Sequence, residues 1–119
     1  MKNLFILILF LHINTVVVFA QDHTDIVVDQ NGTGDYKTLT EAIDALPMYA
    51  YQRVVILIKN GIYEERIRIT QNYVTLHGES RDSTIIRFNL SREKWNKNKD
   101  WIRPGIINIE GDDIILDNL

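Results

Sequence analysis

Five consecutive apolar residues, Val54 to Ile58, constrain this chain more than any other feature, because a strand with one wet face alternates and this run does not. The run reads as a strand buried on both faces. Past Asn60-Gly61, two residues that tolerate positive φ, Ile67 and Ile69 alternate with Arg66 and Arg68. After a second polar break Val74 and Leu76 alternate again, so three short strands fall within Arg53 to Glu79, with Gly61 to Glu65 as the turn after the first. Asn-Gly between strands suits an antiparallel hairpin with a type I′ turn. Short strands recurring at each polar corner suit the coils of a solenoid equally well, and the local pattern leaves both open.

The flanks extend the pattern. Asp25 to Asp29 reads as a strand and Gln30 to Asp35 as a turn cluster whose Gly32 and Gly34 lack the third glycine of a dinucleotide loop and the lysine of a P-loop. Thr38-Leu39-Thr40-Glu41 has the form of a capping box, and Leu39, Ala42, Ile43 and Leu46 then make one apolar stripe that Pro47 terminates. The predicted helix, Thr38 to Leu46, carries no evident chemistry and suits a cap over the open end of a β-stack. β-branched strands resume at Thr84 to Phe88, Ile106 to Ile109 and Ile114 to Leu116, where the chain stops in mid-pattern, as a truncated stack would. Under the solenoid reading, the segments at Val54, Ile67, Val74, Ile85, Ile107 and Ile114 stack in parallel.

One long segment, Asn89 to Gly105, has no period. It holds both tryptophans, Trp95 and Trp101, among Arg92, Lys94, Lys97, Lys99 and Arg103, against Glu93 and Asp100. Aromatic faces stack on sugar rings and cations pair with uronate carboxylates, so a polysaccharide-contacting loop is one reading and an ordinary solvated loop the other.

Residues 1–20 open with Lys2 and run apolar from Leu4 to Leu11 and Ile13 to Phe19, interrupted by His12, Asn14 and Thr15, with Val18-Phe19-Ala20 fitting a cleavage site after Ala20. The segment reads as a secretory signal, shorter in uninterrupted apolar length than the ~20 residues of a membrane span. It predicts a secreted or periplasmic product, residues 21–119, with no membrane association after cleavage. Losing Lys2 leaves 12 of the 13 basic side chains against 16 acidic ones, a balance that argues against a nucleic-acid partner. There is no cysteine, so disulfides and thiolate metal sites are excluded and stability must come from burial. Asn31-Gly32-Thr33 and Asn89-Leu90-Ser91 are glycosylation sequons.

Gly61-Ile62-Tyr63-Glu64-Glu65 resembles the G-x-Y-x-E element of pectinesterases. Asp35-Tyr36-Lys37-Thr38 followed by Glu41-Ala42-Ile43, then Val74 to Glu79, then Asn108-Ile109-Glu110-Gly111-Asp112-Asp113, resemble that family in order and spacing. This resemblance implies an all-β fold, a right-handed parallel β-helix of the pectin lyase-like kind with a short amino-terminal capping helix, of which residues 21–119 are the amino-terminal coils. It also implies an esterase that hydrolyses methyl esters of polygalacturonate without metal or organic cofactor, with pectin or polygalacturonate as partner.

Such chemistry needs a nucleophile, an acid/base group and oxyanion donors. As the resemblance implies, these are two aspartates, glutamines and an orienting arginine in later motifs; the glutamine-aspartate pair, D-F-I-F-G and G-R-P-W do not occur here, so no catalytic residue is expected in this chain. Asp112 and Asp113 are adjacent and, after Gly111, read as a turn. Five residues before Gly111, where the family places a substrate-contacting threonine, stands Ile106, which loses a hydroxyl. The candidate substrate contacts are Tyr63, Glu65, Trp95 and Trp101, with core packing and a turn hydrogen bond as the other roles for the first two. Two other readings remain: a non-catalytic carbohydrate-contacting or structural β-helix remnant, and a pectate lyase, whose calcium site would need more carboxylates than Asp112 and Asp113.

Overall fold

The computed structural model describes residues 25–97 and 104–119; the leader segment and Trp101 lie outside them. In chain order the elements are β1 (Ile26–Val28), α1 (Leu39–Asp44), β2 (Val54–Ile58), β3 (Gly61–Glu64), β4 (Ile67–Ile69), β5 (Val74–Gly78), β6 (Thr84–Arg87), α2 (Arg92–Lys97), β7 (Ile107–Ile109) and β8 (Ile115–Asp117). They form three parallel sheets, β1-β2-β5-β8, β3-β6 and β4-β7. Each turn of chain lays one strand in each sheet, so this is a parallel β-helix. The hairpin alternative fails: β2 pairs in parallel with β1 and β5, and β3 pairs with β6.

Register defines the coil. Val54 opposes Val74, an offset of 20 residues, whereas Thr75 opposes Ile115, an offset of 40. The second coil is longer because β4 follows β3 almost at once, while the segment carrying α2 separates β6 from β7. Like residues stack along the inner ladder, Ile56 on Leu76 and Ile67 on Ile107. Ile56, Ile58, Tyr63, Ile67, Ile69, Val74 and Leu76 fill the interior, each large aliphatic side chain contributing about 1.5–3 kcal/mol by its burial.

The structure revises several local expectations. In β2 only Ile56 and Ile58 are fully buried; Val55 and Leu57 are half-buried, because the outer face of a coil is covered by side chains of neighbouring coils and by no second layer. Gly61 to Glu64, expected as a turn, is strand β3, since its amides meet β6. The strand expected at Ile114 begins one residue later. The aperiodic segment contains α2, capped by Ser91, whose Oγ accepts from Lys94 N at 3.2 Å, and braced by a Glu93–Lys97 ion pair one helical turn apart.

Both ends of the β1-β2-β5-β8 sheet are treated differently. At the amino-terminal edge, Asp35 Oδ2 accepts from Val27 N at 2.8 Å and Val27 O accepts from Asp35 N, so a loop occupies the groups an edge strand leaves free. The amphipathic α1 packs its buried Leu39, Ala42 and Ile43 over β1 and β4. At the other end, Ile115 and Leu116 of β8 are each 44% exposed.

Corners repeat as the strands do. Tyr73 and Asp113, which precede β5 and the Ile114–β8 segment, both adopt left-handed conformations, φ 58° and 57°. Gly111 permits the coils to touch here, since a Cβ on it would lie 1.9 Å from Gln71 O; likewise a Cβ on Gly78 would lie 2.1 Å from Asn118 O.

Candidate functional site

Tyr63 and Glu65 belong to the scaffold. Alternation along β3 turns Tyr63 inward, where it is 1% exposed and its hydroxyl donates to Lys59 O at 2.8 Å. Burial pushes the phenol's pKa up, so at neutral pH it stays a donor. Glu65, just past β3, points at the start of α1: its carboxylate accepts from Leu39 N (2.9 Å), Thr40 N (3.0 Å) and Thr40 Oγ1 (2.7 Å). Of the anticipated capping box, Thr38 Oγ1 accepts from Glu41 N at 3.2 Å as expected. The stronger cap comes from a residue distant in sequence, which a local motif cannot reveal.

Asp112 and Asp113 form the turn read from the sequence. Asp112 N donates to Asn72 Oδ1 and its carbonyl accepts from Tyr73 N; Asp113 O accepts from the Arg53 guanidinium at 3.0 Å. Both residues are exposed, and no group of three or more His, Asp or Glu able to hold a metal ion occurs among the described residues. Ile106 is 39% exposed, and its carbonyl accepts from Ile67 N.

Opposite charges face each other across successive coils, Lys59–Glu79 at 2.9 Å, Arg68–Glu110 at 2.6 Å and Arg87–Glu64 at 2.7 Å, and His77 Nδ1 lies 2.7 Å from Asp117 Oδ2. Glu79 also accepts from Asn60 N, and this bond followed by the Lys59 ammonium holds its pKa below the ordinary carboxylate value. Asp29 is lowered similarly, first by the Thr33 hydroxyl and then by Asn31 N.

Clefts open beside β6. One, about 500 Å3, is lined by Leu90, Arg92, Trp95, Asn96 and Pro104. A second of similar size is lined by Glu64, Arg87, Phe88 and Asn89. Asn89 and Leu90 are consecutive, so the two adjoin. The Arg66 guanidinium carbon lies 5.4 Å from the centre of the Phe88 ring, a cation–π arrangement. Of the candidates read from sequence, Trp95 therefore reaches an open site; Phe88 and Arg66 were missed because nothing local sets a strand-end aromatic apart from core.

The family model described as pectinesterase matches residues 25–119. A probable pectinesterase/pectinesterase inhibitor of Arabidopsis thaliana is 48% identical over 69 residues, which cover 56% of this chain and 13% of that protein. Among solved structures, the pectin methylesterase PemA from Erwinia chrysanthemi superposes with a TM-score of 0.66 at 30% identity, covering 83% of this chain and 30% of that one. A mutant pectin methylesterase solved in complex with a hexasaccharide gives a TM-score of 0.63 at 31% identity, over 81% of this chain and 29% of that one. The chain thus spans about an eighth of the length of the Arabidopsis relative.

Proposed function

The chain belongs to the pectinesterase family, and from that premise we propose that it supplies the first coils of a secreted carbohydrate esterase acting on methyl-esterified polygalacturonate. The reaction adds water across the ester, releasing methanol and leaving the uronate carboxylate. A family match that spans every described residue carries the reading. In it these coils cap the β-helix and offer the polymer Trp95 and Trp101, while the nucleophile, acid/base group and oxyanion donors lie in motifs this sequence does not contain. A second reading, a carbohydrate-contacting or structural β-helix without catalysis, is favoured by Ile106, an apolar side chain where the resemblance places a substrate-contacting threonine.

The test has two arms. Residues 21–119 alone, given methyl-esterified pectin, should release no methanol above a buffer blank; release abolished by Asp112→Asn or Asp113→Asn would overturn the assignment, and an ultraviolet-absorbing unsaturated product would indicate a lyase. Grafted in place of the matching coils of the Erwinia enzyme, the same residues should preserve methanol release. A folded but inactive graft would favour the second reading.

A further inference from the structure

We propose that the two adjoining clefts beside β6 form one binding site for unesterified oligogalacturonide, with Phe88 and Trp95 as stacking faces and Arg92 as the carboxylate partner. The choice of sugar rests on the proposed function; the charge and shape arguments do not.

Charge comes first. Whereas the whole chain carries 13 basic against 16 acidic side chains, residues 87–97 carry Arg87, Arg92, Lys94 and Lys97 against Glu93 alone. Glu64 neutralises Arg87 and Glu93 neutralises Lys97, but among the described residues no carboxylate pairs with Arg92 or Lys94. An exposed guanidinium on the wall of a cleft is a ready bidentate partner for a carboxylate, and a methyl ester presents neither the charge nor the second equivalent oxygen.

Shape comes second. Phe88, the residue just after β6, is 38% exposed, and the Arg66 guanidinium lies over its ring. Trp95 and Asn96 on α2 line the next cleft, so two aromatic faces with amide and guanidinium donors between them follow one another through Asn89 and Leu90. Each volume suits one or two pyranose rings. The more exposed tyrosines, Tyr49 and Tyr51, lead instead to Arg53, tied to the Asp113 carbonyl beside two exposed carboxylates, a setting that repels a polyanion.

The chain, held on a sensor surface by its carboxy terminus, is exposed to unesterified oligogalacturonate, to the fully methyl-esterified oligomer of equal length, and to poly-glutamate. The acid oligomer should bind, lose affinity as salt rises, and exceed the ester by about tenfold or more, as expected for one charge-assisted pair. Arg92→Gln and Phe88→Ala should each weaken it by about as much, without lowering the melting temperature, while Arg53→Gln should leave it unchanged. Equal binding of acid and ester, equal binding of poly-glutamate, or variants that bind like the parent would each overturn the site. Loss of methanol release from the graft with acid-oligomer binding intact would count against the esterase reading and leave this site standing; the opposite pair of results would do the reverse.

Discussion

Glu65 and Thr40, 25 residues apart in sequence, are joined twice, the carboxylate accepting from the Thr40 amide at 3.0 Å and from its hydroxyl at 2.7 Å. A six-residue helix is too short to persist alone, so its place over the first coil depends on such bonds and on the burial of Leu39 and Ile43. The negative charge of Glu65 also meets the positive end of the helix dipole, which favours the helix.

Replacing Glu65 by Ala should therefore destabilise the chain by about 1–3 kcal/mol, the range for a lost cap and charge-assisted bonds. Urea midpoints at constant slope measure it. Affinity for acidic oligomers, governed by Arg92, Trp95 and Phe88, should not change.

Tyr63 gives a second, sharper case. Tyr63→Phe keeps the ring and leaves Lys59 O without its donor, at a cost of about 1–2 kcal/mol, while Tyr63→Ala adds a cavity and should cost about 3–5 kcal/mol. Thermal melts distinguish the two; near-equal losses would mean that the ring is not packed as described.

Acid should weaken the coil contacts. Asp29 and Glu79 have folded-state pKa values below their ordinary ones, so their contribution is fully present above the unfolded values, about 4. It is lost as pH falls through those values and then through the lower folded ones. Denaturation midpoints between pH 7 and pH 3 should fall more steeply for the parent than for Glu79→Gln.

Strand positions were legible because inward residues alternate: Ile67 and Ile69, or Val74 and Leu76, announce their face directly. Gly61 to Glu64 was not, since Tyr63 is its single buried side chain and Asn-Gly mimics a hairpin turn. Parallel register could not be read locally, because it is set by partners 20 and 40 residues away. The site was half legible: Trp95 stood out by type and setting, while the nearness of Phe88 to Arg66 follows from the register of β3 on β6, and the cleft at Trp95 forms only where Pro104 comes back beside α2.

The core, the corners and the clefts all depend on parallel coils in this register, and interstrand backbone nuclear Overhauser effects test it most directly. Contacts linking Val55 with Thr75 and Leu57 with His77, and Ile62 with Ile85, are predicted, in the staggered pattern of parallel strands. Close Hα–Hα contacts between Val54–Ile58 and Ile62–Ile69, the mark of an antiparallel hairpin through Asn60-Gly61, would contradict the fold and the site built on it.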